Sequence, residues 1–136
     1  MAEAVGIYVG LAASINTLLQ LSKEVVEYIG NTSGASKQKE ELVKEITATA
    51  SLLNDLEKRV KSDKWRHKID SLEGFDRPLE LFRTVLTTLE SKIKSSRNSF
   101  ISISKRIIWH FEKGEYETIL SKIERSKSSL SIALQL

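Results

Sequence analysis

Five cations crowd the carboxylate-free stretch between Glu90 and Glu112: Lys92, Lys94, Arg97, Lys105 and Arg106. Ammonium and guanidinium groups at this density attract phosphate and carboxylate, and each one near an anionic membrane surface contributes about 1 kcal/mol. If the five share a face they make an anionic-lipid site; the same residues also suit a plain solubilising patch. Catalytic material is sparse by comparison. The two histidines, His67 and His110, belong to no HExxH pair, no Cys/His set and no nucleophile elbow, and read as ordinary side chains. Glu40 with Glu41, and Glu115 with Glu117, lie among lysines as helix-surface carboxylates do. Six glycines form neither GxGxxG nor a Walker loop, so there is no phosphate cradle. With no Cys there is neither a disulfide framework nor a thiolate metal site. No enzyme is expected, and no catalytic residue, metal or cofactor.

A second cluster is defined by what it lacks. Nineteen consecutive residues, Ala4 to Ser22, carry no charge in a chain that is 29% charged. That is the length at which an apolar helix crosses a bilayer core, roughly 18–20 residues, diluted here by Ser14, Asn16, Thr17 and Gln20. Ala2, Gly6, Gly10 and Ser14 fall four apart and form a small-residue stripe on which another backbone can approach. Two interior glycines cost about 1 kcal/mol each relative to alanine, a cost that close contacts offset in the bundle, in an oligomer, or in both. Val5 and Val9 add apolar surface, and Glu3 is the sole early charge. Ala2, Glu3, Val5, Gly6, Val9, Gly10 and Ser14 are therefore the candidate residues for membrane insertion and oligomerisation. A secretory signal needs Lys or Arg ahead of its apolar run, so secretion is rejected and a reducing cytosol fits best.

The elements that position these groups read as helices, because apolar residues recur at three and four rather than at two. Tyr8, Leu11, Ile15, Leu18, Val25 and Ile29 make a near-heptad seam, interrupted at Ser22, until Gly30-Asn31-Thr32-Ser33-Gly34 stops it at Ile29 or Gly30. A second helix is expected from after Ser36 to about Lys61, buried through Leu42, Ile46, Leu53, Leu56 and Val60. A short helix carrying Trp65, Ile69 and Leu72 follows, ending at Gly74. Asp76 as cap and Pro78 in the first turn open a helix whose inner face is Leu79, Phe82, Leu86, Leu89 and Ile93. Lys94 to Ser104 is open between extended structure, packed loop and helix. Gly114 is expected to separate the cluster Ile107, Ile108, Trp109 and Phe111 from a last helix bearing Tyr116, Ile119, Leu120, Ile123, Leu130 and Leu134. At 136 residues and 40% hydrophobic content this makes one all-α domain over 1–136, a four-helix bundle with one or two additional short helices. Met1–Glu57 holds four basic and eight acidic residues and the remainder seventeen and ten, so a net +3 conceals a basic second part.

Taken together, these residues resemble the HeLo-like amino-terminal domain of fungal NOD-like (STAND) receptors. The opening MAEAVGIYVGLAASINTLLQL matches that family's start, and IIWHFEKGEYETILSKIERSKSSLSIALQL its end, with an apolar-Trp-x-Phe cluster leading into a helix with an Ile-Glu-Arg step. Trp65 through Leu72, and Pro78-Leu79-Glu80 with Phe82, match its middle. One departure is His110, where the family often carries proline. The resemblance implies a bundle akin to those of the mixed-lineage kinase-like executioner of necroptosis and of one class of plant resistance proteins. It further implies the output end of a larger sensor, followed by a nucleotide-binding module or an amyloid-forming signalling motif and killing by plasma-membrane permeabilisation. The partners so implied are anionic membrane lipids, further copies of the chain, and that downstream module. Two alternatives stand beside it. One is a soluble domain that signals by homotypic assembly without touching lipid. The other, a basic nucleic-acid binder, is the weaker, since nine aromatics form no RNA or DNA module and no nucleic acid is expected.

Overall fold

The computed structural model of the chain describes residues 2–33, 36–61, 75–100, 107–108 and 111–135, with side chains placed at 10–31, 37–61, 75–92 and 111–135. Among the described residues four helices, α1 (Ala2–Gly30), α2 (Ser36–Val60), α3 (Asp76–Phe100) and α4 (Lys113–Gln135), build an all-α bundle. Two minimal strands, β1 (Thr32–Ser33) and β2 (Ile107–Ile108), pair in parallel at one end, Thr32 opposite Ile107 and Ser33 opposite Ile108. The expected short helix at Trp65, with His67, Trp109 and His110, lies outside the described residues.

Helix ends follow local chemistry. After Gly30 the Asn31 amide donates to the carbonyls of both Glu27 and Tyr28, closing α1. Asp76 is the first residue of α3 rather than its cap: the Leu79 amide donates to the Phe75 carbonyl, which makes Phe75 the cap, and Pro78 falls in the first turn, where no amide is needed. Gly114 likewise does not divide cluster from helix. The Tyr116 amide donates to the Glu112 carbonyl, so α4 starts at Lys113 and Gly114 lies in its first turn. α3 continues as helix through Phe100, past the inner face expected to end at Ile93.

The directions of the helices come from their contacts. A short connection turns α2 back along α1. α2 and α4 run parallel, because Tyr116 meets the Gln38 carbonyl near their starts, Lys127 meets Glu45 midway, and Arg59 donates to the Leu134 carbonyl near their ends. α3 and α4 run antiparallel, with Ser126 on Pro78 and Lys92 on Glu115. Around the bundle the neighbours are α1–α2–α4–α3 and back to α1. One end therefore collects the end of α1, the start of α2, the end of α3, the start of α4 and the strand pair; the start of α1 lies at the other.

The seam residues fill the interior as the spacing requires. Leu11, Ile15, Leu18, Val25 and Ile29 of α1 meet Leu42, Ile46, Leu53, Leu56 and Val60 of α2, with Leu79, Phe82, Leu86 and Leu89 of α3 and Tyr116, Ile119, Ile123, Leu130 and Leu134 of α4. Phe75 and Val85 join them, and Leu120 is only partly buried. Among the described residues three hydroxyls are also enclosed: Ser22 donates to the Leu18 carbonyl (2.7 Å), Thr49 to that of Glu45 (2.8 Å) and Ser126 to that of Pro78 (2.8 Å). Each is satisfied, so none incurs the penalty of an unpaired buried donor.

Candidate functional site

Among the described residues, the two candidate groups lie toward opposite ends of the bundle. Ala2, Glu3, Val5, Gly6 and Val9 lie in the opening turns of α1, and Lys92, Lys94 and Arg97 lie toward the end of α3. Helices of 25 to 29 residues at 1.5 Å per residue are about 35–45 Å long. A membrane touching only one end would meet one group and not the other, whereas the adjacency of α1 and α3 puts both groups on neighbouring rods. Side chains of Ala2, Glu3, Val5, Gly6, Val9, Lys94 and Arg97 are outside the described set, as are Lys105 and Arg106 entirely.

Gly10 is exposed, and a methyl group added there would meet nothing within 4 Å. The resting bundle therefore has no steric need for glycine at that position, although the helix bears its propensity cost. Ser14, one turn on, is half-buried. The exposed positions of α1 from there to mid-helix, Gly10, Ala13, Asn16, Thr17 and Gln20, carry no charge. Thr17 turns its hydroxyl inward onto the Ala13 carbonyl (2.9 Å). The inner side of the same stretch, Leu11, Ile15 and Leu18, is locked in the core.

A comparable uncharged strip on α3 escapes a reading based on apolar spacing. Thr84, Thr87 and Thr88 are exposed, and their hydroxyls donate to the carbonyls of Glu80, Arg83 and Thr84 at 2.8–2.9 Å. The signal was present as hydroxyl residues three and four apart.

Lys92 is already engaged. Its ammonium group pairs with the Glu115 carboxylate at the start of α4 and lies 5.1 Å from the centre of the Phe111 ring. That hydrogen bond, with the charge behind it, holds the Glu115 carboxyl below the usual carboxylate range, and a carboxylate in a helix's first turn also suits the helix dipole. The carboxylate-free stretch of the sequence thus acquires a carboxylate in space.

Tyr116 borders the same end. Burial first, then the charge and hydrogen bond of Glu41 and the charge of Glu45, push its phenol up to about 12. The unfolded chain ionises nearer 10, so the stability this neutral phenol contributes is complete below pH 10 and is lost as pH climbs toward 12. Thermal melts of Tyr116→Phe are expected to fall less steeply than wild type across that window; parallel slopes would remove Tyr116 from alkaline unfolding.

Among the described residues no helix is long and apolar enough to cross a membrane, and no group of three or more His, Cys, Asp or Glu could hold a metal ion. Comparison with protein-family models, curated proteins and solved structures gives no match.

Proposed function

We propose that the chain is a cell-death effector domain of the HeLo-like kind, which permeabilises membranes through α1 once several copies have been clustered. The observation that carries this reading is the exposed, uncharged outer face of α1 from Gly10 to Gln20, beginning at a glycine the folded bundle does not require. A soluble helix ordinarily dresses its outer face in charge. At rest the domain is cytoplasmic, with α1 in the bundle. On activation it moves to the plasma membrane, Gly6, Gly10 and Ser14 bring copies together, and the cations from Lys92 to Arg106 hold acidic headgroups. A nucleotide-binding module or signalling motif of a parent chain supplies the clustering. No catalysis and no cofactor are involved.

Energetics make α1 the switch. Pulling Leu11, Ile15 and Leu18 out of the core into water costs about 1.5–3 kcal/mol each, a large part of a typical total stability of about 5–15 kcal/mol. Hydrocarbon returns most of that cost, so lipid and core compete for the same side chains. Their deep burial also favours the second reading, a soluble homotypic docking domain whose α1 never leaves.

Sedimentation and dye release from phosphatidylserine–phosphatidylcholine vesicles, with and without an inducible clustering tag, separate the two. Salt-sensitive pelleting with leakage on clustering is the expected result. Oligomers that neither pellet nor leak would leave only the docking domain.

A further inference from the structure

We propose that the outer face of α2 is a self-complementary docking surface on which two intact bundles pair, their α2 helices antiparallel about a two-fold axis between Thr47 and Ser51. The inference goes beyond the membrane reading and does not depend on it: it concerns folded copies in water and uses no residue of α1. By helical periodicity the line of α2 opposite its buried leucines is Glu40, Lys44, Thr47, Ser51, Asp55 and Lys58, and all six are exposed. Its middle belongs to an uncharged run, Ile46 to Asn54, whose outward side chains are small enough to let two helix axes come close. Its ends carry charge in an order that reads in reverse with opposite sign: acid, base, neutral centre, acid, base. Antiparallel helices centred between Thr47 and Ser51 therefore set Lys44 against Asp55 of the second copy and Glu40 against its Lys58, and the axis repeats both attractions. Parallel helices in register would instead set each charge against its own like. Within the chain these four have no ion-pair partner among the described residues, whereas Glu45 and Glu57 on the flanks of α2 are taken by Lys127 and Lys61. The same axis brings the α4 flank of one copy onto the α4 flank of the other. There Ile132, 63% exposed, borders a shallow groove with Ala48 and Leu52, level with the centre of the pairing. Among the described residues it is the one large apolar side chain left exposed, and the second copy covers it with its own Ile132.

Analytical ultracentrifugation of the full chain tests this. Wild type should show a concentration-dependent monomer–dimer equilibrium that weakens with salt. Lys44→Glu should weaken dimerisation about tenfold, because attractions repeated by the axis become repulsions. Lys44→Glu with Asp55→Lys should restore it, because the pairs re-form with their signs exchanged. Arg83→Glu makes the same change in net charge at an exposed position of α3 and should have little effect. Equal loss from Arg83→Glu, no recovery in the double variant, or a wild type that stays monomeric at millimolar concentration would overturn the pairing. Because the chain has no cysteine, introduced thiols report the geometry directly. An oxidised mixture of Glu40→Cys and Lys58→Cys proteins should give the mixed dimer, whereas Lys58→Cys alone should not link, its two copies lying about 25 Å apart along antiparallel helices. Linking of Lys58→Cys alone without the mixed dimer would mean a parallel arrangement and overturn the proposal. None of these readouts involves lipid, so they decide the pairing whether or not the membrane reading holds.

Discussion

A protein carrying Gly10→Leu is expected to keep its bundle and lose its power to empty vesicles, releasing about tenfold less dye on clustering as about 1–2 kcal/mol of helix–helix association is lost. The fold should tolerate the change because a side chain at Gly10 starts in open space. Gly10→Ala makes the point in reverse: it should raise stability by about 1 kcal/mol, the propensity gained over glycine in a helix interior, while still lowering leakage. Thermal melts read the first effect and dye release the second. Gly6→Leu alongside Gly10→Leu extends the block along the stripe. Unchanged leakage from a folded double variant would remove the stripe from the mechanism.

Leu18→Ala is expected to act in the opposite direction. Leu18 is fully buried, and truncating such a leucine costs about 2–5 kcal/mol. Part of that cost is lost transfer energy, which the helix would lose in lipid as well. The remainder is the cavity left in a close-packed interior, and fluid hydrocarbon leaves no cavity. The variant should therefore melt well below wild type yet permeabilise vesicles at lower protein concentration. A variant that melts low and leaks no more than wild type would indicate that α1 stays in the bundle throughout.

Much of this architecture is legible along the chain because it is local. Seam spacing marks Leu11 to Ile29 and Leu42 to Val60 as inner faces, glycine and asparagine close α1 where expected, and Pro78 marks the opening turn of α3. Legibility fails where a residue's fate depends on another helix. Ser126 is buried with its hydroxyl on the Pro78 carbonyl of another helix, 48 positions away, and Thr49, although it bonds to Glu45 within its own helix, is enclosed by the packing of the bundle. Phe75 looks like loop because it precedes a helix, yet that position turns it into the core. Lys92 looks free because its carboxylate, on Glu115, lies beyond the carboxylate-free stretch that Glu112 closes. Gly10 looks like a packing residue, and only three-dimensional surroundings show that the resting bundle gives it nothing to pack against. The lengthwise separation of stripe and patch belongs to the same class, since helix direction is a property of connections rather than of periodicity.

The paired strands after α1 and before α4 have a consequence for motion. Thr32 and Ser33 are stitched to Ile107 and Ile108, which moors the tail of the first helix to the return from the third. If α1 opens as proposed, a rod moored at that extremity swings like a door on its jamb, with the greatest sweep at Ala2 and almost none at Gly30. Loss of that pairing would leave the end of α1 tied to the bundle only through its short connection to α2.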